Sequence, residues 1–195
     1  MMIQSLRDDR AAYGSVSRVL HWIMALLFAW QFTGAALHLL AEDTVAAEFI
    51  WSSHRDIGFL LFVMVIVRGA WGLINLSSRP QQSGVLGRSA RLGHIILYIM
   101  MIAVPGLALI RQIGSGRAFA PFGLDLLEGG GDQIRWMTEI GGLLHSPLAW
   151  LLLVFVAGHV AMVIVHQLVW RDGTLDRMAG SRHGEDLGQH RAEEK

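Results

Sequence analysis

Four long apolar runs, separated by polar stretches, set the layout of this chain. Val19 to Leu40 reads VLHWIMALLFAWQFTGAALHLL and His54 to Ile74 reads HRDIGFLLFVMVIVRGAWGLI. Leu92 to Ile113 is the third run, and Leu143 to Trp170 reads LLHSPLAWLLLVFVAGHVAMVIVHQLVW. Each has about the 20 residues a helix needs to cross a bilayer, so the pattern predicts an all-α membrane protein built as a four-transmembrane-helix bundle. Between the runs, Ala41 to Ser52 reads as a short loop and Asn75 to Arg91 as a basic loop without an acid. Gly114 to Gly142 reads as the longest loop, with room for a turn of amphipathic helix around Gln133 to Ile140. Pro105 inside the third run predicts a kink unless neighbouring groups satisfy the freed carbonyl. Residues 1–17 form a polar lead-in, 18–178 the membrane domain, and 179–195 a polar tail expected to be disordered. The first run is read as a retained helix, because its apolar core is longer than the roughly 7–15 residues of a signal peptide.

Charge sets the orientation. Arginines in the second loop, the lead-in and the tail predict that both termini are cytoplasmic, since Lys and Arg accumulate on that side. Trp22, Trp51, Trp71, Trp136 and Trp170 fall near span ends, as an interfacial aromatic belt requires. The formal net charge is zero, which gives no basic footprint for nucleic acid. The chain has no cysteine, so disulfides, thiolate-bound iron–sulfur clusters, zinc–thiolate sites and C-x-x-C-H haem attachment are excluded. It carries no P-loop and no G-x-G-x-x-G fingerprint for a bound nucleotide.

The remaining chemistry lies in histidines at membrane depth, where an ionisable group is costly and functional by default. His145 and His159 are 14 residues apart in the fourth run. On a helix this places them within about 40° on one face and about 21 Å apart in depth. With four spans, His54 lies level with His145 near one membrane surface, and His21 lies level with His159 near the other. One membrane histidine is often only a helix–helix hydrogen-bond partner. Four at two matched depths fit two stacked haems, each held between helices by two axial imidazoles. Arg68, 14 residues after His54, shares its face at the cytoplasmic haem level and needs an anion there, such as a haem propionate. Arg18, one turn before His21, can do the same or snorkel to water. Gly58, Gly69, Gly72 and Gly158 leave room for close approach of a helix or a flat macrocycle.

Three other histidines fit less well. His38 sits roughly 100° off the His21 face and reads as interfacial. His166 shares the ladder face about 10 Å beyond His159 and reads as a polar cap or a quinone-site group. His94, at the cytoplasmic start of the third run, reads as a cap, a quinone contact or an inert side chain. The tail histidines, His183 and His190, read as solvated.

Several stretches together resemble the bacterial cytochrome b561 family of di-haem, four-helix membrane proteins, over about residues 17–178. They are RVLHWIMALL around His21, the His54 span ending in VRGAW, LGHIILYIMMIAVPG in the third span, and H-x13-H-x6-H followed by VWRDGTLDRM. The last is the most specific. The resemblance implies two haem b groups, with His21, His54, His145 and His159 as iron ligands. It also implies the bacterial inner membrane and electron exchange with ubiquinone. One member type is a superoxide oxidase, which takes electrons from periplasmic superoxide. Some members have a second histidine directly after the third of the H-x13-H-x6-H set, where this chain has Gln167, which puts the details of a quinone site in doubt.

Bis-histidine haem leaves no open coordination position, so the expected function is electron transfer at haem edges. Superoxide or another small periplasmic reductant is the expected donor, drawn by Arg55, Arg111, Arg117 and Arg135. The alternative is a membrane-anchor cytochrome b subunit relaying electrons for a soluble dehydrogenase or hydrogenase. A protein partner is thus possible but not required.

Overall fold

The computed structural model describes residues 6–10, 12–79 and 84–180. Four of its helices are long and apolar enough to cross a membrane, and together they make a transmembrane bundle. Helix α1 is Ser15–Leu40, the short α2 is Val45–Ser52, α3 is His54–Ile74, α4 is Gly84–Gly114 and α5 is Arg135–Val165. A π-helical turn, His166–Trp170, prolongs α5, and α6 is Thr174–Ala179. The loops α1–α3 and α4–α5 share one face, here the loop face. The lead-in, the α3–α4 loop and α6 share the other, the terminal face.

Helix α2 replaces the expected loop at Ala41 to Ser52. Thr44 caps it, its Oγ1 accepting the Ala47 N–H at 3.2 Å, and such a cap is worth about 1 kcal/mol. The helix folds back on α1. Ile50 lies over Gly34, where any side chain would collide. Ser53 ends α2 and begins α3, and its Oγ accepts from Trp30 Nε1 at 2.9 Å.

Helices α4 and α5 both start earlier than hydropathy predicts, because their first turns lie at the polar membrane edge. The helical turn expected near Gln133 to Ile140 is the first part of α5. Pro105 and Pro147 both lie inside unbroken helices. The two helices cross closely where Gly141 faces α4. A methyl there would stand 2.5 Å from Leu107 O and Arg111 Cβ. We therefore expect Gly141→Ala to force the helices apart and cost about 1–3 kcal/mol, the usual range for overpacking. Thermal unfolding in detergent measures this, and an unchanged midpoint would refute the close crossing.

The long loop between α4 and α5 is ordered by its own backbone. Ile134 N–H bonds Gly114 O at 2.8 Å, Gly130 N–H bonds Gly116 O at 3.0 Å, and Phe119 pairs with Leu127. Buried Phe119 then packs edge-on against Phe59 of α3.

The bundle's buried centre is thin: Met24, Leu61, Val65, Met100, Met101, Val104 and Leu152. Much of the remaining apolar surface, such as Leu26 and Val154, faces outward. That suits lipid as solvent, in which apolar residues need no burial.

The terminal face is tied together by polar contacts. Asp8 in the lead-in is buried and meets Arg79 of the α3–α4 loop at 3.0 Å. Tyr13 N–H bonds Arg177 O, Trp22 Nε1 bonds Met178 O, and Trp71 Nε1 bonds Ser17 Oγ. Burial pushes the Tyr13 phenol above its ordinary pKa; Arg79 opposes this and Asp8 adds to it. Helix α6 ends where the tail was expected to begin. The expected disorder and the tail histidines, at 181–195, lie outside the described residues.

Candidate functional site

Helix α5 runs close beside α4 but not beside α1 or α3. Imidazole rings reach across the intervening space at two levels. Near the loop face, His54 opens α3 and His145 lies one turn beyond Gly141 on α5. Their ring centres are 6.3 Å apart and nearly perpendicular, at 85°. Near the terminal face, His21 of α1 and His159 of α5 are 6.4 Å apart at 76°. The structure thus brings the four histidines together in the two pairs that depth matching predicts.

The spacing has a chemical meaning. An imidazole nitrogen lies about 2 Å from a metal it ligates, with the ring centre about 1 Å further, so two imidazoles on opposite sides of one metal have centres about 6 Å apart. Both pairs fit that separation. Among the described residues no three His, Asp or Glu converge on one point. A bare structural metal needs about four protein ligands, whereas a metal carried in a macrocycle needs only the two axial ones.

The outer ring nitrogens differ from one histidine to the next. His145 Nδ1–H donates to Val104 O at 2.9 Å, which fixes the ring and leaves Nε2 for a metal. His54 Nδ1 is buried and has no hydrogen-bond partner. The His54 ring is covered by Trp51 at 4.2 Å, and Trp51 stacks on His38 at 4.1 Å and 8°. His38 is therefore part of an aromatic stack beside the loop-face pair and has Glu42 at 3.9 Å. Arg68 Nη2 lies 3.2 Å from His21 Nδ1, with the guanidinium over the Tyr98 ring. Arg18 lies against Gly180 at the end of α6.

His94 does not open its helix, as the hydropathy pattern suggested. It lies well inside α4, its Nδ1–H bonds Ala90 O at 2.7 Å, and its ring centre is 5.4 Å from that of His159. His166 starts the π-helical turn and pairs with Asp172 Oδ2 at 2.6 Å. Partial desolvation raises the Asp172 pKa, but hydrogen bonds from Thr174 and His166 outweigh it and hold the carboxyl below its ordinary range. Of the expected glycine contacts, Gly72 receives the Arg79 guanidinium, Gly58 faces Gln31 and Gly69 faces Tyr98. Gly158, beside His159, faces open space.

The loop-face arginines divide by partner. Arg135 is paired with Glu139 at 2.6 Å, and Arg55 Nη2 donates to Gln112 Oε1 while lying over Phe119. Arg111 and Arg117 share a cleft of about 250 Å³ with Ser115, Gln133, Thr138 and Glu139, whose carboxylate is held by Arg135.

The sequence profile of the prokaryotic cytochrome b561 family matches residues 12–181, nearly the whole described structure. This chain belongs to that family. Cytochrome b561 homolog 2 of Escherichia coli (strain K12) is 28% identical over 179 residues, covering 90% of this chain and 95% of the relative. Cytochrome b561 homolog 1 of the same organism is 26% identical over 177 residues, covering 84% and 94%. Membership makes this a multi-pass membrane electron-transfer protein and implies b-type haem. The ring pairs fit that cofactor.

Sequence reasoning missed two neighbours of the loop-face pair. Trp51 reads from the sequence only as a belt residue, because its stacking depends on α2, which hydropathy does not predict. Gln31 carries its own signal, an amide side chain in the middle of a span.

Proposed function

We propose that this cytochrome b561 carries electrons across the bilayer on two haem b groups, from a periplasmic one-electron donor to ubiquinone. His54 and His145 would hold the haem near the loop face, and His21 and His159 the one near the terminal face. The observation that carries this reading is the recurrence of one ring spacing, 6.3 and 6.4 Å, at two levels that share α5. When bound, haem b held by two imidazoles supplies one-electron exchange without an open coordination position.

The protein's own groups set the rest. Arginines are more numerous on the terminal face, which supports a cytoplasmic placement of both termini in a bacterial inner membrane and makes the loop face periplasmic. Ligation through Nε2 would put a proton on His21 Nδ1, so Arg68 would then have to turn to an acceptor. We assign it a haem propionate, with Arg18 as the second basic group at that level. On the loop face, Arg111 and Arg117 supply positive potential for a small anion. Superoxide fits as the donor. Two superoxide ions lose one electron each and leave as dioxygen, and one ubiquinone takes both electrons and two protons to become ubiquinol.

Stopped-flow mixing of the oxidised protein with superoxide should reduce the haems. The variant Arg111→Ala with Arg117→Ala should slow this about tenfold at low ionic strength, with the difference shrinking as salt rises. Haems that stay oxidised would remove superoxide as donor. Reduction at an unchanged rate in the double variant would remove the cleft's role.

A further inference from the structure

Among the described residues, only two buried side-chain atoms lack a hydrogen-bond partner, His54 Nδ1 and Gln31 Oε1. They belong to residues already joined, because Gln31 Nε2 donates to His54 O at 2.9 Å. The two orphans are complementary. A histidine bound to a metal through Nε2 carries its proton on Nδ1 and needs an acceptor, and an amide oxygen is one. Burying either group unpaired is costly. The Trp51 ring covers the His54 ring, which blocks rotation of that nitrogen toward solvent. Its counterpart, His145, already has Val104 O in this role.

We propose that Gln31 is a positioning residue for the loop-face haem, its Oε1 accepting the His54 Nδ1–H directly or through one water. This rests on the His54/His145 ligation proposed above. The amide binds His54 twice, at its backbone carbonyl and at its ring. It fixes the ring's orientation and makes the imidazole a stronger donor to iron. An outer-shell acceptor of this kind raises ligand basicity and favours the oxidised metal. Among the described residues no amide side chain is joined in this way to His21 or His159, so the two haems of one molecule should differ and one serves as the control for the other.

The test is a redox titration of the purified holoprotein, followed optically and by low-temperature electron paramagnetic resonance, with haem counted per chain. Gln31→Leu should move the loop-face midpoint positive and shift that haem's low-spin signal, leaving the terminal-face haem unchanged. Gln31→Glu, a stronger acceptor, should move the same midpoint negative. If Gln31→Leu loses the loop-face haem altogether, the Gln31→Glu shift decides. Unmoved midpoints in variants that keep both haems would overturn the proposal, as would equal shifts at both haems. His54→Ala separates this from failure of the underlying reading: two low-spin haems persisting in that variant would mean that His54 is not a ligand at all.

Discussion

His159→Ala should empty the terminal-face site and leave the loop-face site intact, while His145→Ala should do the reverse. Low-spin haem per chain should fall from about two to about one in each, and the double variant should show none. The expectation follows from geometry, because α5 contributes one ring to each pair and the partners, His21 and His54, lie on different helices. An iron that loses one of two axial imidazoles either leaves or becomes five-coordinate, and both outcomes remove a low-spin signal. Pyridine haemochrome assay gives the count and paramagnetic resonance the coordination. His38→Ala and His94→Ala should keep both haems. The His94 variant is the sharper control, since that ring lies closer to His159 than His21 does. Loss of a low-spin haem in His94→Ala with retention in His21→Ala would reassign the terminal-face ligand.

Asp8→Ala should be the most destabilising single change outside the histidine pairs, by about 3–5 kcal/mol, the range for breaking a buried ion pair. The Asp8 side chain is fully buried, and each carboxylate oxygen is used: Oδ2 by Arg79 Nε and Oδ1 by Gly14 N–H, both at 3.0 Å. Removing it strands a guanidinium that is itself only 22% exposed and packed against Gly72. Pairing Asp8→Leu with Arg79→Met should restore much of the loss, because a buried apolar pair avoids the desolvation of two charges. Thermal unfolding of the haem-loaded protein measures all three. A midpoint for Asp8→Ala within error of the parent would show that the Asp8–Arg79 pair contributes nothing to the fold.

Hydropathy is enough to read the four spans, and their alternating direction, with the 14-residue interval in the fourth, is enough to match the histidines by depth. Both depend on local periodicity, which a chain carries openly. What stayed hidden depends on contacts between distant segments. Val45 to Ser52 is too short and too mixed to look helical; it is held by its Thr44 cap and by packing on α1. The Asp8–Arg79 pair joins residues 71 positions apart, and nothing local marks Asp8 as buried or Arg79 as its partner. The interval from His54 puts Arg68 at the depth of His21, but no interval shows that its guanidinium meets the ring nitrogen itself. His166 was legible as a polar group near the surface, while its link to Asp172 needed the π-helical turn and the left-handed Arg171 that bring the chain back.

The division of rings between helices also bears on biogenesis. Translation proceeds from the N-terminus, so α1 and α3 enter the bilayer with His21 and His54 still unmatched. The segment carrying His145 and His159 leaves the ribosome last of the four spans. Until it inserts, neither pair of rings exists, and every shorter nascent chain is barred from completing either one.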